Sequence, residues 1–445
     1  LNSLDRRIFG LAVPNILAAL STPLIGIADT AMIGHLPEVA FMGAVSTASL
    51  IFNGIFWCLA FLRMGTTALV AQYSGAGDRR QSAGVLYRSL IVAVCLGTGI
   101  AAAGGWIGRI GFELAGGSVQ VQHWGMRYFA IRVWEAPLAL SVMTLNGFFL
   151  GTANAIAPLW VTTVANLVNI GADYALIYGK LGAPKLGVEG AAWASVLGNA
   201  AALATGGFLL LRGYRYRSYL RAWPTRLWDL RAMKRLMQTN AFLFGRTLCL
   251  QFASFFTLGM VSRMGEAPLA ANAVILQVWG LTSFAVDGFA HAAETLVGRC
   301  LGARLFAEAR QLAWRILCWG LGLGAGFGLA YFVALEPIAA LFTPHREVVE
   351  QVGTLYVLIA LLQPLNAVVF VFDGIFIGAS DMGYLFKAMA LATFGMFLPA
   401  ALVFVYWLDW QLAGAWMAYS GLMVGRFVTL WPRYRGDAWL QSFVE

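Results

Sequence analysis

Twelve runs of about 20 or more mostly apolar residues follow one another along this chain, and that pattern leaves few folds open. They cover 8–34, 41–71, 84–107, 124–150, 156–178, 187–211, 236–262, 269–297, 310–335, 349–378, 384–408 and 412–432. A bilayer core has no water to satisfy backbone N–H and C=O groups, so runs of this kind cross it as helices that close their own hydrogen bonds. Charged residues make up only 11% of the 445, against about 25% in an average soluble domain, too few to cover a water-facing surface. The expectation is an all-α polytopic membrane protein with twelve transmembrane helices.

The runs are also duplicated. At an offset of 227 residues, Asn146-Gly147-Phe148-Phe149-Leu150-Gly151 returns as Asp373-Gly374-Ile375-Phe376-Ile377-Gly378. The same offset carries Leu69-Val70 to Leu296-Val297, Gly75-Ala76 to Gly302-Ala303, Arg88 to Arg315 and Pro137 to Pro364. Six runs per copy is an even number, so both copies point the same way, which implies two six-helix lobes related by a pseudo-two-fold axis along the membrane normal. The expected division is an N-terminal lobe over 1–211, a basic link over 212–235 and a C-terminal lobe over 236–445. A duplicated membrane unit usually serves transport, with the substrate path between the halves.

Lys and Arg set the orientation. Counted with the N-terminus inside, one side holds 21 of them and the other six, and the link alone holds eight, Arg215 and Arg226 among them. The bias places both termini and the link in the cytoplasm. The net charge of +9 has the sign that nucleic acid attracts, but these residues follow topology, so no nucleic-acid partner is expected. The five cysteines sit singly in apolar runs and read as small buried hydrophobes. Charges precede the first run with no small-residue cleavage site after it, so it reads as a retained helix.

A carboxylate at the bilayer centre costs about 2.5–3.5 kcal/mol on insertion scales, so each one calls for a reason. Asp29 lies well inside the first run and Asp173 inside the fifth, where Asn169 stands four residues earlier on the same helical face. Two carboxylates and an amide oxygen in one lobe offer hard oxygen ligands for a small cation, or a proton site. The alternative is plain hydrogen bonding between helices. Arg132 and Glu135, three apart, either neutralise one another or take part in function. Asp373 stands where the first copy has Asn146, so the lobes differ in charge at a shared position. Asp287, His291 and Glu294 are spaced four and three and form one polar stripe, facing a cleft or pairing with Arg246. With Asp373 they are the candidate substrate-cleft residues. The four histidines are scattered without metal spacing, and no nucleophile–base cluster stands out, so neither an enzyme nor a resident cofactor is expected.

Several of these segments together resemble the multidrug and toxic compound extrusion (MATE) family, and its DinF-like branch in particular. They are Leu11-Ala12-Val13-Pro14, Asp29 followed by Gly34-His35-Leu36, the twin Asn146 and Asp373 segments, Asn169 with Asp173, and Gly187-Val188-Glu189-Gly190-Ala191-Ala192-Trp193-Ala194-Ser195. The resemblance implies a secondary active multidrug efflux antiporter that exports organic cations or amphiphilic drugs by alternating access, in exchange for H⁺ or Na⁺. Its branch implies a coupling centre at Asp29, Asn169 and Asp173 with Asn146 nearby, and a bend at Pro14 when Asp29 is protonated. Ser195 replaces the family's threonine, which keeps a hydroxyl oxygen but weakens the case for Na⁺. No other metal is implied. A monomer in a bacterial inner membrane, in contact with lipid and drug-like molecules, completes the expectation. The rival reading is a flippase for a lipid-linked oligosaccharide or another amphiphile.

Overall fold

The computed structural model describes residues 2–222 and 229–441, without the side chains at 22–25, 27, 39 and 215. Arg226 and the side chain of Arg215, both counted in the basic link, lie outside the described residues. Among the described residues there is no strand, and every one of the twelve apolar runs falls on helix.

In chain order the helices are α1 (Ser3–Gly34), α2 (Val39–Leu59), α3 (Phe61–Gly75), α4 (Arg79–Ala102), α5 (Gly104–Ala115) and α6 (Val119–Arg132). A single 3₁₀ turn, Val133–Glu135, joins α6 to α7 (Ala136–Gly151), followed by α8 (Ile156–Tyr178), α9 (Val188–Arg212) and the short α10 (Tyr214–Arg221). The second half holds α11 (Leu230–Val261), α12 (Glu266–Gly302), α13 (Phe306–Phe342), α14 (Arg346–Thr354), α15 (Tyr356–Gly378), α16 (Met382–Ala390), α17 (Leu398–Ala401) and α18 (Gln411–Arg435). Nine helical segments among the described residues are long and apolar enough to cross a membrane. Large apolar side chains stand exposed on them, such as Val333 at 74% and Leu361 at 70%, as a hydrocarbon solvent permits and water does not.

Local breaks follow from the sequence. Pro337 sits four residues after Val333, where its ring opposes the helical carbonyl, and α13 bends at Ala334 (φ −133°, ψ 18°). Pro399 is flanked by two π-helical stretches, Leu391–Phe397 and Leu402–Trp407, which absorb the lost N–H by widening the turn. Pro14, by contrast, lies within an uninterrupted α1.

The helices gather into two compact units, one made of residues 17–237 and one made of residues 1–16 with 238–445. In the first, Phe52, Phe112, Tyr128 and Phe129 form the centre of a buried cluster. In the second, Trp279, Phe397 and Trp416 do so.

The duplication extends to individual contacts. A Cβ on Gly147 would collide with the carbonyl of Arg63 and one on Gly151 with that of Thr67. In the second unit, Gly374 abuts the carbonyl of Ala290 and Gly378 that of Glu294, each pair displaced by 227. Gly97 lies against Pro137 as Gly324 lies against Pro364, and Gly198 meets Ala165 and Asn169 as Gly425 meets Ala392 and Met396. At Gly147, Gly151 and Gly97 and at their counterparts Gly374, Gly378 and Gly324 the backbone contact is too close to admit a side chain, so these glycines hold each pair of helices at one separation in both copies.

Candidate functional site

The first unit encloses an acidic cluster built from four helices. Gly198 lets α9 approach α8 directly over Asn169, and one turn further along α8 stands Asp173, with no exposed surface. Asp29, on α1, faces Asp173, and their carboxyls interact directly. The end of α6 and the 3₁₀ turn after it contribute Arg132 and Glu135, and the charge of Arg132 reaches both aspartates.

Within this cluster the acids are served unequally. Glu135 accepts from Nε of Arg132 at 3.1 Å and from Nδ2 of Asn199, on α9, at 3.4 Å, so both of its oxygens are occupied. Arg132 also donates to Ser49 at 3.1 Å and to Tyr128 at 2.9 Å, and lies 4.8 Å over the ring of Phe52. Asp173, in contrast, has two buried oxygens with no hydrogen-bond donor, and Asp29 has one. Buried acceptors without donors are rare and mark a place where something else must supply the positive charge or the proton. The carboxamide oxygen of Asn169 is equally unserved, as is that of Asn146 on α7. Ser195, on α9, is half-buried, and its carbonyl accepts from Asn199 at 3.2 Å. The structure thus brings Asp29, Asp173 and Asn169 together and adds Arg132, Glu135 and Asn199. The first two of those could be weighed from spacing alone. Asn199 gave no signal, because it meets Glu135 only through the packing of distant helices.

The second unit holds a different cluster. Arg246 on α11 and Arg426 on α18 both donate to Oδ2 of Asp373 on α15. Arg246 therefore pairs with Asp373, while pairing with the stripe on α12 was one of the two alternatives that the sequence left open. In that stripe Glu294 is buried and Asp287 and His291 half-buried, and none of the three is free of interactions. Arg426, one of the 21 Lys and Arg residues assigned to the cytoplasmic side, is 1% exposed and enclosed by protein. The boundary drawn for the last run already placed it inside a span.

Under the 227-residue correspondence, the charged residues of the two clusters fall at different positions. Arg132, Glu135 and Asp173 match Ile359, Leu362 and Ala400, while Asp373 and Arg426 match Asn146 and Asn199. One scaffold carries charge at different positions in its two copies. Among the described residues no group of three His, Cys, Asp or Glu side chains is placed to hold a metal ion.

A helical membrane fold built twice on one pattern, with ionisable groups enclosed in each copy, defines a polytopic membrane transporter. The chain belongs to the MatE family, whose model matches residues 14–175 and 243–406. Members of this family are multidrug and toxic compound efflux transporters, not enzymes. The chain is 32% identical to DNA damage-inducible protein F of Escherichia coli, over 99% of this chain and 95% of that protein. It is 24% identical to the probable multidrug resistance protein NorM of Thermotoga maritima, over 93% and 88% of the two chains. In fold it is similar to a MATE crystal structure in the bent conformation, with a TM-score of 0.88 and 20% identity over 98% of this chain and 96% of that one. It is also similar to the Vibrio cholerae MATE transporter VcmN in its bent form, with a TM-score of 0.85 and 20% identity over 97% and 96% of the chains.

Proposed function

We propose that the protein is a secondary active antiporter that expels organic cations or amphiphilic drugs in exchange for inward H⁺ or Na⁺, with Asp29 and Asp173 as the coupling pair. The observation that supports this reading most directly is the pair of facing carboxyls whose buried oxygens have no donor, beside a Glu135 that already takes up the charge of Arg132. Two enclosed carboxyls of like charge accept one shared proton or one small cation far more readily than they stay bare. Asn169 offers a neutral oxygen suited to either guest, and Asn146 and Ser195 are proposed as further oxygen donors. Binding removes the repulsion between α1 and α8, and release restores it, so the ion acts as a ligand with different affinities for two helix arrangements. Pro14, which deprives α1 of one backbone hydrogen bond, is the proposed point of bending. Asp373, Asp287, His291 and Glu294 are the proposed substrate-facing residues.

In this reading residues 1–211 and 236–445 act as the moving lobes and 212–235 as their cytoplasmic link. The protein works as a monomer in a bacterial inner membrane with both termini inside. The test is ethidium efflux from proteoliposomes under an imposed H⁺ or Na⁺ gradient. Asp29→Asn should abolish gradient-driven efflux while the protein still folds and inserts. Wild-type transport by both Asp29→Asn and Asp173→Asn would place the coupling site elsewhere.

A further inference from the structure

Two guanidinium groups in the second unit share one carboxylate oxygen, which leaves the Arg246–Asp373–Arg426 cluster with one more positive charge than negative. The packing does not require these charges. The same glycine contacts on either side, Gly147, Gly151 and Gly198 against Gly374, Gly378 and Gly425, are made in the first unit around the neutral Asn146 and Asn199. A buried charge that the scaffold manages without in its other copy has a use other than packing.

The open valences around the cluster are mostly donors. Nε of Arg246 and Nε of Arg426 are both buried with no acceptor. On α15, Asn366 stands seven residues before Asp373, on the same helical face, and both its amide nitrogen and its carbonyl oxygen are buried without partners. Phe370 lies between them on that face, with the guanidinium of Arg426 5.7 Å from its ring centre. The Nε–H and terminal N–H of an arginine form a fork that matches the two oxygens of a carboxylate or phosphate group. Asp373 presents only Oδ2 to the two arginines, and its Oδ1 has no donor.

We propose that Arg246, Arg426 and Asn366 form a binding site for a singly charged oxyanion, a carboxylate or phosphodiester borne on an apolar body. One negative charge cancels the surplus, the two Nε–H groups and the Asn366 amide receive its oxygens, and Phe370 meets the apolar part. Asp373 occupies the terminal N–H of each guanidinium fork, so it competes with the ligand for that half of both forks and sets the affinity. The site lies in the unit that does not hold Asp29 and Asp173, and it does not depend on their coupling role.

The test uses the full chain in nanodiscs of phosphatidylcholine, with pyrenebutyrate as the probe and pyrenebutanol as its uncharged counterpart, read by fluorescence after subtraction of empty discs. The acid should bind about tenfold more tightly than the alcohol, the size of one charge-assisted contact. Asp373→Asn should tighten the acid further, and Arg426→Lys, which keeps the charge and loses the fork, should weaken it. Displacement by added phosphatidylglycerol would identify the natural oxyanion as a lipid headgroup, and lack of displacement as a soluble carboxylate. Either result supports the site. Equal binding of acid and alcohol by the wild-type chain would overturn the proposal without recourse to any variant, as would weaker binding of the acid by Asp373→Asn.

Discussion

Arg132 donates to Glu135 at 3.1 Å, and the second oxygen of the same carboxylate is held by Asn199. This pairing separates two kinds of acid in one cluster. Removal of Glu135 leaves the half-buried Arg132 guanidinium without its hydrogen-bonded counter-ion, whereas Asp173→Asn removes a buried charge that no donor serves. Glu135→Gln is therefore expected to cost about 3 kcal/mol and Asp173→Asn far less. Thermal unfolding of the two purified variants in detergent checks the order, and an equal loss in both would contradict it.

The close helix contacts give a second expectation. Gly147→Ala and Gly374→Ala each drive a methyl group into a backbone carbonyl, at Arg63 and Ala290 respectively, and neither carbonyl can swing aside as a side chain does. Each is expected to cost about 1–3 kcal/mol. Gly99→Ala is the control: its Cβ meets nothing within 4 Å, and it should be neutral or stabilising by up to about 1 kcal/mol. Melting temperatures of the three variants measure this directly.

Asp5 yields a pH dependence of known sign. The indole N–H of Trp319 at 3.2 Å holds its carboxyl below the usual carboxylate range, and Arg315 at 3.0 Å and the backbone of Asn2 act in the same direction against the opposing effect of burial. The folded-state value is depressed, so the contribution to stability is complete above the ordinary carboxylate value of about 4 and disappears as pH falls through the lower folded value. Asp5→Asn should melt below wild type at pH 7, and the gap should close under acid conditions. A gap that widens on acidification would reverse the sign.

Topology is open to a labelling experiment. In a cysteine-free background, Ser218→Cys in the basic link should resist an impermeant maleimide added to intact cells, and Leu181→Cys, 85% exposed as leucine in the turn after α8, should react. The opposite pattern would invert the orientation.

Most of the helical framework was legible because long apolar runs have one solution in a bilayer, and all twelve fall on helix. Breaks inside the runs, as at Ala60 between α2 and α3 or Leu355 between α14 and α15, carry no proline and left no mark in the apolar pattern. Asp29 and Asp173 stood out since a carboxylate in such a run is conspicuous, and Asn169 followed from a spacing of four. The partners of those groups were harder to find. Arg246 and Asp373 are 127 residues apart, and only the folded chain joins them. Arg426 gave no sign of its pairing with Asp373: beside Arg433 and Arg435 on the same helix it looked like one more residue of a basic cluster, and only the fold shows that protein encloses it.

Gly147 and Gly374 make the same backbone approach in the two units, while the residues just before them, Asn146 and Asp373, differ. In a bundle present once, a side chain that takes on new chemistry puts at risk the only copy of the architecture. Here two adjacent positions divide those demands: the glycine keeps the helices in register, and its neighbour carries an amide in one copy and a carboxylate in the other. Such a chain can acquire a new specificity in one half while the other continues to serve the old one, and a protein exposed to changing toxic compounds would draw on that freedom repeatedly.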